Sequence, residues 1–159
     1  MKRLWLSRGE HCVRFPDTKS GAQIRVVGEA AMDHIESLPA RAGSPFVFPA
    51  DWGDGHFIGV VRVLARVSRR AQLMDVTPHV LRHTFASVAG DLGFSELTIA
   101  GLLGHSARGV TQGYVHLDTA LVVAADRVSA EIAQLLNSGV AGKRRQKITQ
   151  KHLAMAVAA

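Results

Sequence analysis

Cysteine and tyrosine are almost missing from this sequence: its 159 residues include one cysteine, Cys12, and one tyrosine, Tyr114. A lone cysteine excludes an internal disulfide, and nothing in the composition argues for an oxidising compartment. Long apolar runs are missing as well. The N-terminus, Met1-Lys2-Arg3-Leu4-Trp5-Leu6, turns polar at Ser7-Arg8-Gly9-Glu10-His11, and three apolar residues do not make the core of a secretory signal. No stretch approaches the roughly 20 consecutive apolar residues of a membrane-spanning helix. The expectation is a cytoplasmic protein with no membrane partner. Acid is missing from the end of the chain. Residues 132–159 carry Lys143, Arg144, Arg145, Lys147 and Lys151 and no Asp or Glu, which leaves 14 basic against 13 acidic residues before them. The net charge of +6 is therefore mostly a property of the tail, and a basic tail alone does not make a nucleic-acid-binding protein.

What remains is an ordinary globular composition, 47% hydrophobic and 20% charged. A chain of this length fits one domain and can bury roughly 70% of its unfolded surface without staples. No internal repeat is found. Residues 4–6, 11–15 and 23–27 read as short strands, the last two joined by a tight hairpin through Pro16-Asp17-Thr18-Lys19-Ser20-Gly21. Residues 28–38 read as a helix with Ala31, Ile35 and Leu38 on one stripe, stopped by Pro39. Residues 39–55 read as a loop. Residues 57–73 read as an amphipathic helix, with Val60, Val63, Leu64 and Val67 on one face and Arg62, Arg66, Arg69 and Arg70 on the other.

Thr77-Pro78 opens the next helix as cap and first residue. Its buried stripe is Leu81, Phe85, Val88 and Leu92, and Gly93 ends it. Ser95 caps a short helix that runs to Leu103 and stops at Gly104. Asp118 caps a longer one with Leu121, Ala125, Val128, Ile132 and Leu135 facing inward. The expected fold class is α+β: a small three-stranded antiparallel sheet followed by a mainly helical bundle. Residues 1–137 form the domain, and residues 138–159 are expected to be a flexible basic tail.

The chemistry concentrates between Thr77 and His116. His79 and Arg82, at i and i+3, share a helix face. His105 follows the glycine turn of Leu102-Leu103-Gly104, and Tyr114 lies nine residues further on. Taken singly, each has a plain explanation: a solvated helix face, a surface histidine after a helix end, a half-buried aromatic, a turn lysine at Lys19. Taken together they suit a phenolate attacking a phosphate while cationic donors hold the developing charge. A free phenol has a pKa of about 10 and is a poor nucleophile at neutral pH. Neighbouring guanidinium and imidazolium groups would favour the phenolate.

The order and spacing resemble the tyrosine recombinase, or phage integrase, family. The matching pieces are Asp17-Thr18-Lys19-Ser20-Gly21, then Thr77-Pro78-His79-Val80-Leu81-Arg82-His83-Thr84-Phe85-Ala86-Ser87, then Leu102-Leu103-Gly104-His105-Ser106, then Thr111-Gln112-Gly113-Tyr114-Val115-His116. The resemblance spans roughly residues 4 to 136. It implies the catalytic domain of a site-specific DNA recombinase that cuts and rejoins double-stranded DNA through a 3′-phosphotyrosyl link, working as a homo-oligomer, a tetrameric synapse. It implies Tyr114 as nucleophile, Arg82 as a bidentate fork on the non-bridging oxygens, and His79 as general base. His105 would donate a hydrogen bond to the phosphate, and Lys19 would be the general acid for the leaving 5′-oxygen. No cofactor and no metal is implied.

The pattern is incomplete in one respect. The family carries a first catalytic arginine in a helix before the small sheet, and a further helical domain that clasps the DNA. This chain begins essentially at the sheet, and Arg3, Arg8 and Arg14 do not match that helical motif. Hence the alternative: a truncated, catalytically impaired remnant that binds DNA or a recombinase. A third possibility, a metal site of His79, His83, His105 and His116, is opposed by the guanidinium of Arg82 between the first two.

Overall fold

The computed structural model describes residues 1–18, 21–104 and 119–138. Three strands form an antiparallel sheet in the order β1 (Leu6–Ser7), β2 (Cys12–Phe15), β3 (Gln23–Val26). Five helices follow: α1 (Glu29–Ser37), α2 (Val60–Arg70), α3 (Pro78–Asp91), α4 (Glu96–Leu102) and α5 (Thr119–Asn137). The α+β class expected from the sequence is the observed one.

The sheet departs from expectation in detail. The stretch expected to begin β1 is instead a 3-10 turn at Arg3–Trp5, and a second 3-10 turn at Arg8–Glu10 leads into β2 through His11 in the left-handed region (φ 50°). Ladder pairing starts at Phe15↔Gln23, and residues 16–22 connect β2 to β3 as the expected hairpin. It is closed lower down. Thr18 and Gly21 exchange backbone hydrogen bonds of 3.1 and 2.9 Å, and the Thr18 hydroxyl adds a third at 2.7 Å to the Gly21 carbonyl.

Helix boundaries follow local chemistry closely at α3 and α4. The Thr77 hydroxyl accepts from the Val80 amide at 3.2 Å, with Pro78 at the first helical position, where its missing N–H costs nothing. Gly93 (φ +84°) ends α3 with Phe94 N–H donating to the Ala89 carbonyl and Gly93 N–H to Gly90, the paired bonds of a Schellman stop. Ser95 caps α4 through the Thr98 amide at 3.2 Å, and Gly104 (φ +70°) turns the chain after it.

α2 is shorter than its apolar pattern. Phe57 N–H is taken by the Phe48 carbonyl at 2.9 Å, so the helix begins only after Gly59 (φ +123°). Its inward stripe is also different. Val63 and Leu64 are half-buried, Val60 and Val67 are exposed, and the one buried residue is Ser68.

α5 is the spine. It packs on α1, α3 and α4, and the core of Val88, Ala89 and Val128 gathers Phe85, Leu92, Phe94, Ile99, Leu102, Ile132 and Leu135 around it. On its other side α1 comes so close that a Cβ on Gly28 would overlap the Ala125 carbonyl and the Ser129 hydroxyl. Gly28 brings no side chain to cap α1. Asp126 of α5 does this instead, its Oδ1 accepting from the Glu29 amide at 2.8 Å and lying 3.2 Å from the His11 ring. The expected stripe of α5 from Leu121 to Leu135 is inward as read, while its expected cap, Asp118, lies outside the described residues. The tail, residues 139–159, also lies outside them.

Candidate active site at the α3–α4 edge

The sequence places its two best-defined candidates, His79 and Arg82, in the first turns of α3, and there the structure has them, on an exposed face. Leu81 was expected to start the buried stripe. It is 52% exposed, and Val80 beside it is 41% exposed, so the buried stripe of α3 begins only at Phe85. The N-terminal half of α3 therefore projects past the core and presents His79, Arg82 and His83 beside an apolar rim.

Arg82 reaches from this face to the end of α4. Its Nη2 donates to the Leu103 carbonyl at 2.8 Å. Leu103 caps the helix and Gly104 follows in the left-handed region, so the guanidinium satisfies one of the carbonyls that a helix end leaves without a partner. This bond joins the two motifs that the sequence holds 21 residues apart: the H-x-x-R turn of α3 and the L-G-H turn after α4. It also fixes the plane of the fork, because one arm is tied to the protein.

His79 and His83 form the second feature. Their Nε2 atoms are 2.8 Å apart and their rings meet edge to face, with centroids 4.3 Å apart. A bond between two imidazole nitrogens needs a proton on one and a lone pair on the other. His83 was named in the sequence only as a possible metal ligand. Its place one turn below His79 was the signal for this contact. Among the described residues no three His, Cys, Asp or Glu side chains converge as a metal site would require.

Sequence reasoning missed Arg25 altogether. It lies on β3, and its guanidinium rests directly on Gly104, where a Cβ would fall inside it. One arm donates to the Gln23 side chain at 2.6 Å. Strand β3, helix α3 and the end of α4 thus meet at the Leu103–Gly104 turn, each of the first two bringing a guanidinium. Lys19, His105 and Tyr114 lie outside the described residues. Their flanks are in place: the Thr18–Gly21 clasp brackets Lys19, and Gly104 leads directly to His105.

The three arginines nearest the N-terminus are occupied elsewhere. Arg8 is paired with Glu29, with Asp33 at 2.6 Å and with Glu36 at 2.5 Å, all along α1. The hydrogen bonds it donates to Asp33 and Glu36 push its guanidinium still further from deprotonation. Arg14 pairs with Glu10 at 2.6 Å, and Arg3 donates to the Leu38 and Pro39 carbonyls. Cys12 is fully buried, and burial pushes its thiol up, away from the reactive thiolate.

Comparison with known proteins points the same way. The model of the phage integrase family matches residues 10–120. Tyrosine recombinase XerD of Brucella suis biovar 1 (strain 1330) is 41% identical over 86 residues, 52% of this chain and 28% of its own length. Tyrosine recombinase XerC of Erythrobacter litoralis is 34% identical over 107 residues, 65% of this chain and 35% of its own. Tyrosine recombinase XerD of Rhizobium meliloti is 36% identical over 98 residues, 59% of this chain and 30% of its own. The matched stretch thus spans about a third of the length of these curated relatives. No solved structure matches the chain.

Proposed function

Because the chain belongs to the phage integrase family, we propose that it carries the strand-cleaving chemistry of a site-specific DNA recombinase. The observation that carries this reading is the Arg82–Leu103 bond, which brings the H-x-x-R face against the turn leading to His105. In the proposed step the Tyr114 oxygen attacks the scissile phosphorus. The bond from phosphorus to the 5′-oxygen breaks as the bond to tyrosine forms, and the leaving oxygen takes a proton to become a 5′-hydroxyl. A 5′-hydroxyl from another duplex reverses the step. One phosphoester replaces another at each stage, so the exchange conserves bond energy.

The roles follow from the side chains. His79 takes the phenolic proton, helped by a ring partner, His83, that can share it. Arg82 presents its fork to the non-bridging oxygens, a geometry lysine cannot reproduce. His105 donates to the same phosphate, and Lys19, carried between Thr18 and Gly21, protonates the leaving oxygen. Double-stranded DNA is the substrate, and exchange between two duplexes calls for several copies of the chain, a tetrameric synapse.

A second reading is favoured by a specific observation. Arg3 and Arg8 are engaged with α1 and its following turn, and Arg14 with Glu10 beside its own strand, so none supplies the family's first catalytic arginine. On that reading the chain binds DNA or a recombinase without cutting. The test is covalent trapping. The protein is incubated with a pool of duplexes nicked within a randomised core and then denatured in detergent. A phosphotyrosyl adduct is expected from wild type and none from Tyr114→Phe. If neither the chain nor the product of its complete reading frame yields an adduct, the second reading stands and the first fails.

A further inference from the structure

We propose that Arg25 is a second guanidinium for the scissile phosphate, acting beside Arg82 at the Leu103–Gly104 turn. The inference rests on the function proposed above. Arg25 comes from β3, outside every motif that carries the family resemblance, yet its guanidinium lies on the α-carbon of Gly104. Any side chain at Gly104 would expel it, because a Cβ there would occupy the space of Cζ, Nε and Nη1. The glycine thus has two functions: it adopts φ +70°, and it admits a guanidinium next to the residue that precedes His105. Arg82 donates to the carbonyl of the neighbouring residue, Leu103, so the two cations flank one turn.

Arg25 has no carboxylate within ion-pair distance among the described residues. Its contacts are the Gln23 side chain at 2.6 Å and a long approach to the Ile24 carbonyl at 3.4 Å. Gln23 orients the fork without neutralising it. Two guanidinium groups on one turn repel each other, and an anion between them reverses the sign of that interaction. A phosphodiester approaching Arg82 is such an anion. Its negative charge grows over the equatorial oxygens during attack, so a second fork stabilises the transition state more than the bound ground state. A cation at a helix C-terminus also favours the helix dipole, and a purely structural Arg25 would do only that.

The experiment uses adduct-forming duplexes recovered from the randomised pool, in two forms. One has an ordinary scissile phosphate. The other has a neutral methylphosphonate at that position. Wild type, Arg25→Ala, Arg25→Lys and Tyr114→Phe are compared by single-turnover adduct formation, with duplex binding and thermal melting measured alongside. Arg25→Ala is expected to cleave the phosphate about 10²-fold more slowly, the usual loss for one transition-state donor. On methylphosphonate it should match wild type, because the charge that Arg25 meets is gone. Arg25→Lys should recover part of the loss on phosphate, and it keeps the test open if the alanine variant folds poorly. Equal slowing on both substrates would mean that Arg25 only supports the turn, and wild-type rates on both would mean that it does nothing there; either overturns the inference alone. No adduct from wild type overturns it together with the proposed function.

Discussion

Two parts of this molecule use the same cationic side chains in opposite ways. In the sheet and where it meets α1, arginine ends on carboxylate: Arg8 on Glu29, Asp33 and Glu36, and Arg14 on Glu10. At the α3–α4 edge the contacts include neutral groups. Arg82 donates to a backbone carbonyl, Arg25 to a side-chain amide, and His79 leans on His83. The first arrangement closes charge within the protein and holds elements together. The second gathers like charge on an exposed edge, which costs stability unless something outside supplies the opposite sign. A surface built to receive a phosphate needs that second arrangement.

The sharpest way to break this comparison is to remove Arg82. If it serves an external anion, Arg82→Ala should slow adduct formation by about 10²–10³-fold. Its bond to Leu103 is worth only about 1 kcal/mol, so melting should move by a few degrees at most. Arg82→Lys should recover little, because one ammonium cannot span two phosphate oxygens. Full recovery with lysine, or a melting loss large enough to account for the lost activity, would place Arg82 with the structural arginines.

The opposite pole is Gly28. Adding a methyl group there drives it into the Ala125 carbonyl and the Ser129 hydroxyl, where the α5 backbone cannot yield cheaply. Overpacking of this kind costs about 1–3 kcal/mol. For a chain of this size, Gly28→Ala should lower Tm by about 3–10 °C. Well below that Tm, adduct formation should be unchanged. A variant that melts normally but cleaves slowly would show that the two regions are coupled through α5.

Asp126 should give a smaller effect of the same kind. It caps α1 from another helix, and loss of an N-cap costs about 0.5–2 kcal/mol. Asp126→Ala also leaves the His11 ring without its 3.2 Å partner. Asp126→Asn keeps an acceptor for the Glu29 amide and should recover most of the loss in thermal melts. If asparagine behaves like alanine, the charge on Asp126 matters more than the cap.

The same division explains what could be read from the sequence. Features decided within one turn were legible. The Thr77-Pro78 start, the Gly93 and Gly104 stops and the stripe from Leu121 to Leu135 depend on near neighbours, and the structure has them as read. Features decided at a distance were not. Leu81 has helical spacing with Phe85, but the core cluster reaches only as far as Phe85, and Leu81 is exposed. Phe57 continues the apolar pattern of α2, but its amide is claimed by Phe48. Asp126 caps a helix start 97 residues away, and Arg25 meets a glycine that is distant in the chain and near only in the fold. At the site, motif spacing identified His79 and Arg82. It could not identify Arg25, because the signal there is contact between β3 and a turn after α4.

The mildest test concerns the closed charges themselves. Glu10 is exposed, and its carboxyl is held below the ordinary value of 4.5, first by the hydrogen bond from Arg14 and then by the one from Ser7. A group whose folded pKa is depressed adds stability above its unfolded pKa and loses it as pH falls through the folded one. Wild type should therefore melt slightly above Glu10→Gln at neutral pH. The gap should narrow once pH drops below about 4.5 and close in stronger acid. Because both partners face solvent, molar salt should shrink the gap at neutral pH as well. Adduct formation should not differ between the two proteins at any salt concentration, since this pair lies on the structural side of the molecule. A gap that persists in acid would mean that Glu10 acts through shape rather than charge, and the contrast between closed and open cations would lose its simplest member.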